Sequence, residues 1–341
     1  MTQPSRMRRE IDEIPAALDR LLTDGADDVR AIAVALRAAD PAFLVTVARG
    51  SSDHACTYLK YAAELLLGLP VASVGPSVAS VWGAPLRLRG GVCIAVSQSG
   101  RSPDIVDLTR AARRGGARAV AVTNHPASPL AAAAEATIDT RAGPEQSVAA
   151  TKSFVTSAVA CLWLLAEVKG DAALLAAIRG LPELAAQALD ADWSPMIEAA
   201  GDGSMFTIGR GPSWAMAGEA ALKFKETCLI HAESYSAAEV MHGPVALVGR
   251  GFPVLAFAAS DAAEAATAEA AAALAAKGAR VFVTSRLARG ATALPAIRTA
   301  HWLADPIPLI VSFHAMVERL ALSRGIDPDL PRHLAKVTET R

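Results

Sequence analysis

The sequence predicts an α/β fold made of two doubly wound, parallel-sheet halves in tandem. Two observations lead there. From Phe43 onward, short apolar runs of strand length alternate with helical segments, the pattern of a parallel sheet with helical crossovers. Later in the chain the pattern restarts. Ser204-Met-Phe-Thr-Ile-Gly209 leading into Arg210-Gly-Pro-Ser213 echoes Val45-Thr-Val-Ala-Arg49 leading into Gly50-Ser-Ser52. An internal duplication follows.

The elements fall in order. Residues 1–38 are an N-terminal helical segment, helical from Arg9 to Ala38 with interruptions around Pro15 and Gly25. The first half, 39–170, holds strands at Phe43–Ala48, Val71–Val74, Gly91–Val96, Arg118–Thr123 and Ala136–Asp139. Its helix Cys56–Leu67 is stopped by Gly68 and Pro70. Long helices are expected over Thr151–Lys169 and Asp171–Leu189, the second forming a connection over 171–195. The second half, 196–326, holds strands at Ser204–Gly209, Phe252–Ala258, Arg280–Thr284 and Thr299–Leu303. Its helices are Trp214–Thr227 and Asp261–Lys277, with 230–244 read as a loop. Residues 327–341 are a proline-broken tail, with Leu334 and Val337 as its expected anchors.

Composition bounds the class. A chain of 341 residues, 52% hydrophobic and 20% charged, is long and apolar enough to bury two cores. A net charge of -1 gives no general attraction to nucleic acid or anionic membranes, so any bound anion needs a local site. The first ten residues lack a signal-peptide apolar core. The longest apolar stretch, Phe154–Ala166, is shorter than the ~18 residues of a membrane span. Cys56, Cys93, Cys161 and Cys228 form no Cys-x-x-Cys pair, and the seven histidines show no ligand spacing. The expectation is a cytoplasmic protein with buried thiols, no metal, no cofactor, and neither a nucleic-acid nor a membrane partner.

One loop stands out. The apolar run Gly91–Val96 ends abruptly in Ser97-Gln-Ser-Gly-Arg-Ser-Pro103. Ser102 reads as an N-cap and Pro103 as the first helical residue. Such a turn aims N–H groups, hydroxyls and a positive helix end at one point, which suits a phosphate. An ordinary strand-to-helix turn reads equally well from the local sequence. Neither a Walker loop nor a Gly-x-Gly-x-x-Gly loop is present. The nearest counterpart in the second half, Ala258-Ala-Ser-Asp261, lacks the glycine, so one phosphate site is expected.

Chemistry-bearing residues cluster further on. Glu219, Lys223 and Glu226 share one stripe of a helix, which by itself would be a solvated face. The following stretch adds His231, Glu233, Glu239 and His242, and that density favours a site. In the tail, Lys336 would point inward if its apolar neighbours anchor it.

Together these motifs closely resemble the sugar isomerase (SIS) family, above all the isomerase half of the glutamine–fructose-6-phosphate amidotransferases. The resemblance is carried by Arg9-Glu-Ile-Asp-Glu-Ile-Pro15, Gly50-Ser-Ser52, Ser97-Gln-Ser-Gly100, Val148-Ala-Ala-Thr-Lys152, Glu219-Ala-Ala-Leu-Lys-Phe-Lys-Glu226, His231-Ala-Glu233, His242-Gly-Pro244 and Pro331-Arg-His-Leu-Ala-Lys336. It implies two flavodoxin-like SIS subdomains. It also implies that Ser51, Ser52, Ser97, Gln98, Ser99 and Ser102 hold a sugar phosphate, with Val148 beside the substrate. Glu226 would shuttle a proton between C1 and C2, supported by Lys223 and Glu219. His242 would assist ring opening in the neighbouring subunit of a homodimer. Lys336 would engage the open-chain ketose by an imine or a hydrogen bond.

The departures bear on the reaction. No glutaminase pattern precedes the isomerase pattern here, and the first cysteine is Cys56. The family's Ser-Gln-Ser-Gly-Glu-Thr reads Ser97-Gln-Ser-Gly-Arg-Ser102, while Gly143–Lys152 and Leu334–Glu339 look like SIS-type glucosamine-6-phosphate deaminases. The expectation is a glutamine-independent enzyme converting glucosamine-6-phosphate and water to fructose-6-phosphate and ammonia. The alternatives are a deglycase or deaminase of fructoselysine-6-phosphate or galactosamine-6-phosphate, and a non-catalytic sugar-phosphate sensor. Trp82, His125 and Tyr235 are candidates for setting substrate choice.

Overall fold

The computed structural model describes residues 3–201 and 203–336. They divide into two compact units. The first-sheet unit comprises Ala16–Glu145, Lys152–Arg179 and the described part of Ala335–Arg341. The second-sheet unit comprises the described parts of Met1–Pro15 and Gly180–Leu334, together with Gln146–Thr151.

The first sheet is built from β1 (Phe43–Val47), β2 (Val71–Ser73), β3 (Gly91–Val96), β4 (Arg118–Thr123) and β5 (Ala136–Asp139), in the order β2-β1-β3-β4-β5. Every pairing is parallel, with Val45 opposite Cys93 and Cys93 opposite Ala119. All six residues of β3 are buried, as a central strand covered on both faces requires. The helix Ser51–Leu67 packs against Lys152–Lys169, a helix buried from Lys152 through Ala166.

The second sheet repeats the plan. Its strands are β6 (Ser204–Gly209), β7 (His231–Ser236), β8 (Pro253–Phe257), β9 (Arg280–Val283) and β10 (Thr292–Ala293), in the order β10-β9-β8-β6-β7. Counted within its own half, this is the same 2-1-3-4-5 order as the first sheet. Both are flavodoxin-like. The helix Pro212–Cys228 lies against Pro306–Ser323, where Phe224 and Phe313 meet edge-on at 5.1 Å between centroids. Both rings are fully buried, each worth about 1.5–3 kcal/mol of transfer free energy.

Several boundaries differ from the sequence reading. Residues 299–303 form turns, not a strand, because Thr299 uses its hydroxyl on the His301 carbonyl and its N–H on Asp305. The fifth strand is the short β10 instead. The stretch read as a loop contains β7, which pairs in parallel with β6. Its polar composition hid it, since β7 lies at the sheet edge with Ala232 as its one fully buried side chain. The helix expected over 171–189 is two helices, Ala172–Arg179 and Leu181–Leu189, separated at Gly180. The N-terminal helices, Arg6–Asp12, Ile14–Asp24 and Ala26–Ala39, break as expected near Pro15 and at Gly25. Among the described residues, no single helix is long and apolar enough to cross a membrane.

Candidate active site

In the first-sheet unit the chain leaves β1 and β3 in opposite directions, so the crevice at their carboxyl ends is the topological switch point where doubly wound sheets bind ligands. Both segments leading out of that crevice start helices. After β1, Gly50 takes φ 56° and ψ -133°, and Ser51 and Ser52 occupy the first turn of Ser51–Leu67. After β3 come Ser97 to Ser102 and the helix Pro103–Arg114. Two positive helix ends and the serines of both loops therefore lie at the carboxyl end of the same sheet.

The second of these loops is held from within. The Ser97 hydroxyl accepts from the Gly100 N–H at 3.2 Å, and that of Ser99 from the Arg101 N–H at 3.3 Å. The Gln98 carbonyl accepts from Asn124 N–H and from the Thr123 hydroxyl. Gly100 is left-handed at φ 61°, and a Cβ there would stand 2.1 Å from Ser128 Oγ. Only glycine fits. Ser102 stands at the N-cap position, but its side chain makes no capping hydrogen bond. Instead the buried carboxylate of Asp104 accepts from the Ile105 N–H at 2.9 Å.

Sequence reasoning passed over Arg49. Its Nε donates to Asp104 Oδ2 at 2.5 Å, with the Asp104 side chain fully buried and that of Arg49 52% exposed. The pair ties the segment after β1 to the one after β3. The repeated Arg-Gly at 49–50 and 210–211 was the available signal, and the backbones agree: Gly211 has φ 59° and ψ -136°. The second half differs after β8. There the Ser260 N–H donates to Asp305 at 2.7 Å, and Asp305 also accepts from Thr299 N–H and Arg298. A carboxylate of the chain itself fills that loop.

The second-sheet unit carries the Glu–Lys–Glu cluster. The helix Pro212–Cys228 places Lys223 Nζ 3.1 Å from Glu219 Oε1 and 2.6 Å from Glu226 Oε2. Glu219 and Lys223 are fully buried, while the Glu226 side chain stays 20% exposed. A solvated face is therefore ruled out. Burial alone would pull the Lys223 ammonium down, but the two carboxylates outweigh it and hold it above the ordinary lysine range. Lys223 is a fixed cation, and Glu226 is the carboxylate with access to solvent. His314, on the packed helix Pro306–Ser323, brings Nε2 to 4.0 Å from Glu219 Oε1, both side chains fully buried. One histidine within the apolar run Pro306–Val317 was its only sequence signal.

Val148 is half-buried, in a segment fixed by Glu10, whose carboxylate accepts the N–H groups of Gln146 and Ser147. That gives the Arg9–Pro15 motif a structural task. His242 is exposed at the end of the short turn Glu239–His242 and makes none of the hydrogen bonds or ion pairs of the Glu–Lys–Glu cluster.

Lys336 belongs to the first-sheet unit, where its Nζ donates to Glu145 Oε2 at 2.8 Å. The lysine points inward as expected, and of its two expected anchors only Leu334 is among the described residues. Leu334 is 45% exposed, and Val337 lies outside the described residues. A buried carboxylate holds the described end of the tail.

Two flavodoxin-like sheets, the first with serine-bearing loops at its switch point, define the chain as a tandem doubly wound α/β protein. It belongs to the SIS domain family, whose model matches residues 40–167 and 200–321. It is 36% identical to glutamine–fructose-6-phosphate aminotransferase [isomerizing] of Aeropyrum pernix, over 98% of this chain and 57% of that protein. The protein of the same name from Symbiobacterium thermophilum is also 36% identical, over 97% of this chain and 58% of its own. The chain thus spans less than two thirds of the length of these curated relatives. Among solved structures, one described as a candidate phosphosugar isomerase from Silicibacter pomeroyi DSS-3 is 62% identical, with a TM-score of 0.92, covering 95% of this chain and 100% of that one. The glucosamine-6-phosphate deaminase of Thermotoga maritima shares the fold at 21% identity and a TM-score of 0.78, covering 98% of this chain and 100% of its own.

Proposed function

We propose that this protein is a phosphosugar isomerase that deaminates its substrate, taking glucosamine-6-phosphate and water to fructose-6-phosphate and ammonia. The observation that carries the reading is the buried Glu219–Lys223–Glu226 cluster: a permanent ammonium beside one carboxylate that reaches solvent. Aldose–ketose interconversion needs such a pair, a base that returns the proton it takes and a cation near the atom that gains charge.

In this reading the serines at 51, 52, 97, 99 and 102, with Gln98, hold the phosphate. Val148 lines the sugar. His242, from the partner of a homodimer, helps open the ring. Glu226 removes the C2 proton of the open-chain aldehyde, and charge moves onto the C1 oxygen, which picks up a proton. Lys223 steadies the carboxylate and that charge. Glu226 then returns its proton to C1, leaving an imine at C2. Water adds to C2, ammonia leaves, and fructose-6-phosphate remains. Lys336 contacts the open-chain sugar.

The four cysteine thiols take no part in the proposed reaction. Splitting glutamine by a cysteine nucleophile requires an accessible thiolate, and all four cysteines are buried and free. Burial pushes Cys93 and Cys161 up to about 12. None of these four cysteines is suited to releasing ammonia from glutamine.

The test is incubation with glucosamine-6-phosphate and no glutamine, assaying both products. Equal release of ammonia and fructose-6-phosphate, lost in Glu226→Gln, is the expected result. Release only from galactosamine-6-phosphate or fructoselysine-6-phosphate would change the substrate. Binding without turnover across that panel would replace the enzyme by a sensor.

A further inference from the structure

Glu145 holds the tail lysine, yet the proposed reaction gives it no task. Its surroundings do. The carboxylate is fully buried just before the helix Lys152–Lys169. Ser153 donates twice to it, N–H to Oε1 at 3.0 Å and hydroxyl to Oε2 at 2.5 Å. The second oxygen also takes Lys336 Nζ at 2.8 Å. Two bonds from one serine fix the plane of the carboxylate, so the direction in which it presents Oε2 to the tail is set in advance.

Energetics make this contact more than a surface ion pair. A buried carboxylate is costly to leave uncompensated. Burial would push the Glu145 carboxyl up, yet the Lys336 ammonium and the Ser153 hydrogen bonds outweigh it and hold it below the ordinary glutamate range. The Lys336 side chain is itself 24% exposed, so the tethered lysine is not sealed off from solvent as Glu145 is.

We propose that Glu145 is the positioning residue for Lys336, holding the tail lysine by its ammonium within reach of the sugar. The inference rests on the reading of Lys336 as a substrate contact given under Proposed function. A helix cap alone would need Ser153 and Glu145 but not Lys336, and that difference is testable.

The experiment compares Glu145→Gln, Lys336→Ala and the double variant in the glucosamine-6-phosphate assay, and follows acylation of Lys336 by an amine reagent with mass spectrometry. With the tether lost, kcat should fall about 100-fold, as displacement of a reacting group by about 1 Å does. KM should stay within about twofold, since phosphate binding is untouched. Lys336 should acylate faster, and the double variant should lose no more than Lys336→Ala alone. Acylation at the wild-type rate, or losses that multiply in the double variant, overturns the proposal. Full activity in Lys336→Ala instead overturns the reading of Lys336, while the acylation rate still decides whether Glu145 holds it. If Glu145→Gln fails to fold, Ser153→Ala keeps the charge and loosens the carboxylate. It should show the same split in smaller measure, and unchanged kcat and acylation there count against the proposal.

Discussion

Lys223 and Glu219 stand one helical turn apart with Nζ 3.1 Å from Oε1 and neither side chain exposed. An i,i+4 pair on a surface helix is worth a few tenths of a kcal/mol and exchanges freely with water. Here the same spacing is enclosed, and a third group, Glu226, closes on the ammonium from the solvent side at 2.6 Å. The cluster therefore has a direction: a fixed cation inside, a carboxylate at the rim.

Lys223 should remain charged through the whole working range. Its folded pKa is raised, so the stability it contributes is fully present below the unfolded lysine value of about 10.4 and is lost only as pH rises through the higher folded value. The urea stability of the wild type relative to Lys223→Met should accordingly be flat from about pH 7 to pH 10 and shrink only above that. A gap that already narrows near neutrality would mean the ammonium is not held as described.

Removing the cation should harm stability as well as chemistry. Lys223→Met leaves Glu219 buried opposite Glu226 with its counter-charge gone, and losing one partner of a buried ion pair costs about 3–5 kcal/mol. Glu226→Gln, at the partly exposed rim, should keep most of the stability while turnover disappears. Urea titration alongside product assay separates the two. Equal destabilisation by both variants would place Glu226 in the core and undo its assignment as base.

The Ser97–Ser102 loop gives a backbone prediction. Gly100→Ala forces a Cβ against Ser128 Oγ and a left-handed φ on alanine, so the Ser97–Ser102 turn must move. KM for the phosphorylated sugar should rise on the order of 10-fold or more, with a smaller change in kcat. Unaltered KM would show that this turn does not hold the phosphate.

How much of this was legible in the sequence depended on periodicity. Central strands such as β3 read cleanly, because burial on both faces demands an unbroken apolar run. Edge strands did not. In β7 His231, Glu233 and Tyr235 alternate with small residues, and β10 is two residues long, too short to leave a pattern. At the site, residue types and spacing pointed to Glu219, Lys223 and Glu226, but helical spacing cannot tell a buried stripe from a solvated one. That took the packing of Pro306–Ser323 against the helix. The pairs Arg49–Asp104 and Glu145–Lys336 lie 55 and 191 residues apart and leave no local signature at all.

The thiols offer a test that involves no substrate. Cys56, Cys93 and Cys161 are buried, and burial raises all three, Cys93 and Cys161 to about 12. A disulfide-exchange reagent such as DTNB needs a thiolate it can reach. The folded protein should react with none of these three cysteines over hours and with all of them in denaturant, and activity should survive the reagent. Rapid loss of one thiol with loss of activity would remove the argument against a cysteine nucleophile in this chain.

A shared site can be decided by mixing two dead variants. If His242 serves the partner's cluster, a dimer of one His242→Ala chain and one Glu226→Gln chain has one site with both groups intact and one with neither. Random re-association of equal amounts makes about half of the dimers mixed, each with one working site, so activity should return to about a quarter of wild type. If His242 serves its own chain, every site in the mixture lacks one group and no activity returns. The exposure of His242 and its absence from the cluster's own contacts favour the first outcome. Recovery should also require subunit exchange. Mixing native dimers should restore nothing until they are dissociated and re-formed, and immediate recovery would point to a trivial contamination of one variant by active enzyme.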